Sequence, residues 1–348
     1  MKYAFGWGAK GKKEIKRMSG EGFQFIIFNQ RESVRAAHSE TINHILLKEK
    51  KMRRLITICA ATVLFYSGYA MAGTWTTPQP VGGVVNTSAD DFKPFLSSDG
   101  LTLYFNRVND SNPNHHSMYQ ASRSTPSGPF TSLKEITSIG TNGPYDPWTS
   151  TDNLRMYYGD LGWTLKMSQR DSIADDWQMG TGINELNILG HIASPALTAD
   201  ELIMVFVGGD PTGDAHGADL YMANRPDRDS PFGNVVALTN VNTEFGELEP
   251  DISPDGLNLY FSFSCNGNPG IYQSTRDSVG DPFGASKPLS IFDASNYASP
   301  SMSSDGTAFY CTRWSTSGGH DIYVSYNVPE PATLLLFGLG AVMLIRKR

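Results

Sequence analysis

The chain has 348 residues, of which 40% are hydrophobic and 18% are charged, and its formal net charge is −7. This composition excludes a wholly disordered chain, and the negative charge argues against a nucleic-acid-binding surface. Three cysteines are too few for a disulfide scaffold, whereas 34 glycines, 20 prolines and many aromatic residues favour an all-β fold rich in turns.

Residues 1–51 show no sustained hydrophobic periodicity. The Lys-Glu pair within residues 48–51 can be encoded by a purine-rich ribosome-binding sequence, and Met52 follows directly. We therefore predict that translation starts at Met52 and that residues 1–51 are a gene-prediction artefact. A disordered N-terminal extension is the alternative.

Residues 52–72 are typical of a secretory signal peptide. Arg53 and Arg54 form the basic start, residues 55–66 form a short apolar helix, and Ala70 and Ala72 make a small-x-small cleavage site. The predicted mature chain begins at Gly73. An uncleaved or buried helix is the alternative.

One pattern recurs five times, about every 50 residues, which indicates a repeat architecture. Each copy has a proline, an aspartate five residues later and then an apolar, aromatic strand. The aspartates are Asp99, Asp152, Asp200, Asp255 and Asp305. Asp-Gly after the first strand predicts a tight two-residue hairpin turn with positive φ. Glu201 fits such a turn poorly, so we predict an altered turn in the third repeat.

Each hairpin is followed by a third strand and, except in the last repeat, by a fourth. The missing strand appears instead at the beginning of the mature chain, around Trp75. Five four-stranded units with one strand supplied by the N-terminus predict an all-β, five-bladed β-propeller over residues 73–327. Closure of the last blade by the N-terminal strand would protect the strand edges. A β-sandwich with coincidental turns is the alternative.

Over residues 75–327 the repeats resemble the TolB-type, WD-like Pro-Asp-Gly propeller repeats. Residues 253–256, Ser-Pro-Asp-Gly, carry the resemblance best, and Thr-Asp-Asn at 151–153 departs from it most. The resemblance implies a propeller used for binding or scaffolding, and a fold of this kind assigns no activity by itself.

Residues 328–348 resemble the PEP-CTERM sorting signal of Gram-negative bacteria. Pro329, Glu330 and Pro331 are followed by an apolar run at 332–345 and a basic tail. The run is shorter than the roughly 20 residues of an ordinary membrane span, and we predict a short transmembrane helix whose basic tail stays cytoplasmic. The resemblance implies recognition by an exosortase.

The residue before each repeat proline is predicted to lie at one mouth of the central channel. These residues are Lys93, Asp146, Ser194, Glu249 and Ser299, and Asp91 and Glu247 lie two residues before two of them. Their carboxylates could bind a cation such as Ca²⁺, or Asp146 and Glu249 could act as acid and base on a glycoside. A structural interpretation is that they cap or hydrate the strand starts. The candidate ligand-binding residues are Lys93, Asp146, Glu249, Asp91 and Glu247.

Loops predicted on the same face carry residues of the types that bind zinc. They are His115, His116, His216, His320, Asp210, Asp214 and Asp219. No HxxxH or HExxH spacing accompanies them, so we interpret them as solvated loop residues and predict no metal site. Export would permit a disulfide between Cys265 and Cys311, and the sequence leaves their pairing open.

These features predict an exported propeller that is tethered transiently at the inner membrane, processed by exosortase-type machinery and displayed at the cell envelope. We interpret it as a non-catalytic binding or scaffold module for extracellular polysaccharide or a surface protein, with no nucleic-acid partner and no cofactor. The alternative is a glycoside hydrolase that uses Asp146 and Glu249. The ligand and the oligomeric state are left open.

Overall fold

The computed structural model describes residues 4–7, 13–16, 73–109, 112–140, 143–209, 217–264, 269–292, 296–314 and 319–329. The chain divides into two compact units, Met1–Ala72 and Gly73–Arg348. In the first unit, β1 (Ala4–Trp7) and β2 (Lys13–Lys16) form an antiparallel hairpin.

The predicted signal peptide with Ala70 and Ala72 lies outside the described residues, as do Glu330, Pro331 and the apolar run that follows. Within the described ranges, no helix is long and apolar enough to cross a membrane.

The second unit is a five-bladed β-propeller, which confirms the predicted fold class. The first blade contains β5 (Asp91–Leu96), β6 (Thr102–Asn109), β7 (Asn112–Ser122) and β8 (Ser132–Glu135). The second contains β9 (Tyr145–Thr149), β10 (Arg155–Gly159), β11 (Leu165–Gln169) and β12 (Thr181–Gly182). After a 3-10 helix (Asn184–Leu189), the third contains β13 (Ile192–Leu197), β14 (Ile203–Gly208), β15 (Asp219–Asn224) and β16 (Gly233–Ala237). The fourth contains β17 (Gly246–Ile252), β18 (Asn258–Ser264), β19 (Gly270–Thr275) and β20 (Lys287–Pro288).

The fifth blade joins the two ends of the propeller. Three of its strands come from the C-terminal part of the unit: β21 (Tyr297–Met302), β22 (Ala308–Trp314) and β23 (His320–Pro329). Two come from its N-terminal part: β3 (Gly73–Trp75) and β4 (Gln79–Pro80). Both N-terminal strands pair antiparallel with β23, so that Gln79 lies opposite Val324 and Trp75 opposite Asn327. The predicted closure by the N-terminal strand is confirmed, and β23 continues two residues past the predicted boundary at 327.

The turns at the five repeat aspartates have the same conformation, and it is not that of the predicted two-residue turn. The residue after each aspartate has a φ between 57° and 75°, but the aspartates themselves do not have a positive φ, as a type I′ turn would require. Instead, the aspartate side chain orders a longer loop: Asp99 Oδ1 accepts the Leu101 amide at 2.9 Å.

The predicted altered turn in the third blade is also wrong. Glu201 adopts the same left-handed conformation, with a φ of 59°. Its buried carboxylate accepts hydrogen bonds from Tyr157 at 2.9 Å and from Arg225 at 3.4 Å. These contacts offset the backbone strain that a non-glycine residue incurs there.

Arginines at the ends of the third strands link the parts of each of the first four blades. Each donates from Nε to the carbonyl of the residue after the repeat aspartate at 2.7–3.0 Å. Each guanidinium also lies 4.1–4.5 Å from the centroid of an aromatic ring near the fourth strand, a cation–π distance. The pairs are Arg123–Phe130, Arg170–Trp177, Arg225–Phe232 and Arg276–Phe283.

Removal of the N-terminal strands should destabilise the whole ring. Val81 and Val85 pack in one cluster with Tyr310 and Ile322 of the fifth blade, and burial of a valine contributes about 1.5–3 kcal/mol. We expect a chain that begins at residue 87 to melt at a lower temperature than one that begins at Gly73, measured by circular dichroism. Equal melting temperatures would show that closure contributes nothing.

Candidate functional site

A repeated backbone irregularity builds the channel mouth. The first strand of every blade shifts register where the repeat proline lies, and the residue before that proline has a φ between 50° and 55°. These residues are Lys93, Asp146, Ser194, Glu249 and Ser299. Such bulges re-aim side chains, and all five residues line the same central cavity.

An ion-pair triad forms at this mouth. Lys93 Nζ lies 2.8 Å from Asp146 Oδ1 and 3.5 Å from Glu249 Oε1. Asp146 also accepts a hydrogen bond from the Ser194 hydroxyl, and Glu249 Oε2 accepts the Ser299 amide at 2.8 Å. The lysine ammonium therefore occupies the position between the two carboxylates.

The three groups shift one another's pKa values. Burial disfavours the Lys93 ammonium, but the two carboxylates outweigh it and hold the pKa of Lys93 above its usual value. Burial raises the pKa of Asp146 more than Lys93 lowers it, and the neighbouring Glu249 carboxylate raises this pKa further. Burial would also raise the pKa of Glu249, but Lys93 and the bonds from Ser262 and Ser299 lower it.

Asp91 and Glu247 have a different environment from the triad. Asp91 accepts the Thr87 amide at 2.8 Å and pairs with Arg107 Nε at 2.6 Å. Glu247 accepts the Thr243 amide at 3.1 Å and its hydroxyl at 2.7 Å. Both carboxylates are fully buried, and burial raises the pKa of each. They order the chain that leads into β5 and β17.

The channel below the mouth is nearly filled by side chains. Its cavity is about 40 Å³ and is lined by the triad, the repeat prolines and the residues that follow them. That volume holds a few water molecules. Asp251 is buried in this wall, and its Oδ2 accepts the Met302 amide at 2.7 Å. A ligand larger than water must therefore bind at the mouth.

A larger pocket of about 310 Å³ opens beside the triad, within the usual range for small-molecule sites. Lys93 and Glu249 form its charged part, and Ser194 lies beside them. Aromatic and apolar side chains from the first four blades form the rest, and the main ones are His116, Tyr145, Leu161, Trp163, His191, Val207 and Leu248.

Trp163 is presented to this pocket by a short loop between β10 and β11. Asp160 Oδ1 accepts the Gly162 amide at 3.0 Å and the Thr164 hydroxyl at 2.9 Å, and Trp163 has a φ of 56°. A positive φ is rare for so bulky a residue, and such strain often accompanies function. The indole is 43% exposed and stacks on His191, with ring centroids 5.2 Å apart.

Two polar atoms in the pocket wall lack hydrogen-bond partners within the described part of the chain. They are the Tyr145 hydroxyl and Nδ1 of His191. Tyr145 is only 6% exposed, and a buried polar atom without a partner costs about 1–3 kcal/mol. Lys93 Nζ lies 4.9 Å from the centroid of the Tyr145 ring, and the Trp163 ring meets that ring edge-on.

The sequence-predicted residues thus separate into two groups. Lys93, Asp146 and Glu249 meet, whereas Asp91 and Glu247 have local structural partners. Sequence analysis missed Trp163, His191 and Tyr145, although Gly162-Trp163 before a strand gives a local signal of an aromatic side chain in a turn. Trp163 lies in the loop before the third strand of its blade, which begins at Leu165.

The zinc-type residues do not form a metal centre among the described residues, where no group of three His, Cys, Asp or Glu side chains could hold a metal ion. His116 and His320 both contact the Phe92 ring, and Asp219 begins β15. The His115 side chain, His216, Asp210, Asp214 and Cys265 lie outside the described set. Cys311 is a buried free thiol.

Residues 327–348 match the family model of the PEP-CTERM protein-sorting motif. The chain therefore carries this motif, which marks it for export and sorting to the envelope of a Gram-negative bacterium. No curated protein matches the sequence.

Solved structures to which this chain is similar include an enzyme and a TolB protein. The catalytic domain of a GH62 α-L-arabinofuranosidase from Coprinopsis cinerea has a TM-score of 0.55 at 12% identity, and the match covers 74% of this chain and 98% of that one. A putative TolB from Agrobacterium tumefaciens has a TM-score of 0.44 at 16% identity, covering 69% and 91%. At 12% identity the similarity to the arabinofuranosidase domain shows the fold alone.

Asp251 should make stability depend on pH. Burial raises its pKa from 3.8 to about 7, so the folded state retains a proton that the unfolded chain releases between about pH 4 and 7. Stability should fall as the pH rises through this window, by on the order of 4 kcal/mol, and change little from this group above it. We expect Asp251→Asn to flatten the curve and to raise the melting temperature at pH 8.

The matched control is Asp229→Asn, because the Asp229 side chain is 89% exposed. The melting temperatures of Asp229→Asn, measured from pH 4 to 8, should equal those of the parent at each pH. If the Asp251→Asn curve also runs parallel to the parent curve, Asp251 does not titrate as described.

Proposed function

We propose that the chain is a non-catalytic binding module for extracellular polysaccharide, and that one sugar unit enters the pocket beside the triad. The observation that carries this proposal is the combination of an exposed, strained Trp163 with a pocket of about 310 Å³. Trp163 and His191 offer a flat aromatic wall, which suits the C–H face of a pyranose ring. Lys93 and Glu249 offer charged hydrogen-bond partners for its hydroxyl groups.

The shape of the site favours a sugar over a protein partner. A stable protein interface buries about 800 Å² on each side, whereas this site is a concave pocket with a polar edge. Pockets of this kind suit small ligands that are held by apolar walls and a few placed polar groups. The Tyr145 hydroxyl, which has no hydrogen-bond partner among the described residues, gives the wall one further group that a sugar hydroxyl or a water could satisfy.

The glycoside hydrolase alternative has one specific observation in its favour. The environment raises the pKa of Asp146 and lowers that of Glu249, and divergent pKa values are what an acid and its partner carboxylate require. One feature opposes it, because Lys93 Nζ occupies the space between the two carboxylates. Its distances to Asp146 Oδ1 and Glu249 Oε1 keep these two oxygens within about 6.3 Å of each other. This separation is below the roughly 6.5–9.5 Å of inverting enzymes and would require a retaining one.

The sorting motif supports the cellular part of the proposal. The chain would be made from Met52, cleaved after Ala72, tethered briefly at the inner membrane by residues 332–345 and processed by an exosortase at Pro329, Glu330 and Pro331. Residues 73–327 would then be displayed as a binding module at the cell surface.

Loss of the Trp163 ring should abolish most of the binding. We expect Trp163→Ala to weaken glycan binding at least about tenfold, the equivalent of about 1.4 kcal/mol, measured by calorimetry on whichever of the cello-, xylo-, manno-, arabino- or chito-oligosaccharides binds the parent. Ile173→Ala is the matched control, because Ile173 is 70% exposed and does not line this pocket. A parent that binds none of these sugars, or a Trp163→Ala variant that binds equally well, would refute the proposal.

The same sugars distinguish the binding module from the enzyme alternative. If the chain is a binding module, the parent should release no product during prolonged incubation, analysed by chromatography. Should the parent cleave a glycan, and should Asp146→Asn and Glu249→Gln each stop cleavage but preserve binding, the hydrolase would replace the binding module.

A further inference from the structure

We infer that the polysaccharide is bound at several consecutive sugar units, along an aromatic path that leads from the pocket across the first blade to Trp314 of the fifth, and that the preferred chain is uncharged. This inference rests on the proposed function, because it extends the same site. The aromatic path is defined as His116, Phe92, His320 and Trp314.

The aromatic path is continuous from ring to ring. His116 lines the pocket, and its ring centroid lies 5.1 Å from that of Phe92. The centroid of Phe92 is 6.0 Å from that of His320, which is 5.7 Å from that of Trp314. Each step is comparable with the length of one pyranose unit.

The two ends of this surface carry exposed tryptophans. Trp163 in the pocket is 43% exposed and Trp314 at the far end is 51% exposed. Between them, Phe92, His116 and His320 are half-buried, so part of each ring remains available, and contiguous aromatic surface of this kind marks binding sites more often than chance exposure does. The rings between the two tryptophans come from the first and fifth blades, so an internal stretch of a glycan could lie across both while one of its units occupies the pocket.

The charges beside this surface argue against an acidic polysaccharide. Lys93 is shared by two carboxylates, Asp146 and Glu249, so the triad carries one excess negative charge. At the other end, Asp90 Oδ2 lies 3.1 Å from His320 Nδ1. A uronate carboxylate would meet like charge at both places, which costs free energy and lowers the association rate. A neutral chain incurs no such cost.

The test compares chain length in two tryptophan variants. The probes are neutral oligosaccharides of two to six units from the series that binds the parent, with oligogalacturonates of equal length as charged counterparts. We expect the parent to bind the hexamer at least about tenfold more tightly than the dimer, a gain of about 1.4 kcal/mol. Trp314→Ala should remove most of this gain and leave dimer binding unchanged, whereas Trp163→Ala should weaken both.

Trp314→Phe should retain part of the gain in affinity from dimer to hexamer, because a flat ring remains. Melting temperatures equal to that of the parent would show that each variant is folded. Dimer and hexamer affinities that are equal, or a hexamer affinity unaffected by Trp314→Ala, would overturn the inference while the pocket remains a sugar site. Tighter binding of oligogalacturonate would overturn the preference for uncharged chains. Absence of binding to every sugar would refute the proposed function itself.

Discussion

The propeller depends on the contact that each arginine at the end of a third strand makes with the turn of its own hairpin. The guanidinium binds the turn carbonyl on one side and faces an aromatic ring on the other, so one side chain links three parts of a blade. It also reaches the preceding blade: Arg225 Nη2 donates to the Tyr157 hydroxyl at 2.9 Å. Where Val205 replaces that tyrosine, Nη2 of Arg276 has no hydrogen-bond partner in the described chain.

The arrangement of side chains at the channel mouth depends on this rigid ring. Five blades held in a fixed relation bring five left-handed residues to one opening, and the identity of each side chain then decides the chemistry. A lysine at the first position pairs with the acids of the second and fourth, so an ion-pair triad occupies the centre of the ring. The apolar pocket beside it, shaped by the irregular loop at Trp163, is where a ligand finds both an aromatic wall and polar groups.

The fold was predictable because its signals are local and repeated. Proline and aspartate recur at one spacing, and the missing last strand had a counterpart near Trp75. The repeat alignment also placed Lys93, Asp146 and Glu249 at equivalent positions. It could not show that Lys93 Nζ reaches both acids, since that depends on side-chain conformation across three blades. Trp163 and His191 were missed because they lie in loops outside the repeat, where no shared pattern identifies a residue.

The ladder between β3 and β23 has a consequence for the order in which the protein folds. Gly73 lies opposite Pro329, and the sorting motif begins at residue 327, so the first and last residues of the ring meet in one sheet. Contacts between residues this distant in sequence form slowly. A chain that crosses the membrane from its N-terminus therefore remains an open array of blades until β23 has emerged, and its exposed edges must avoid other strands during that interval.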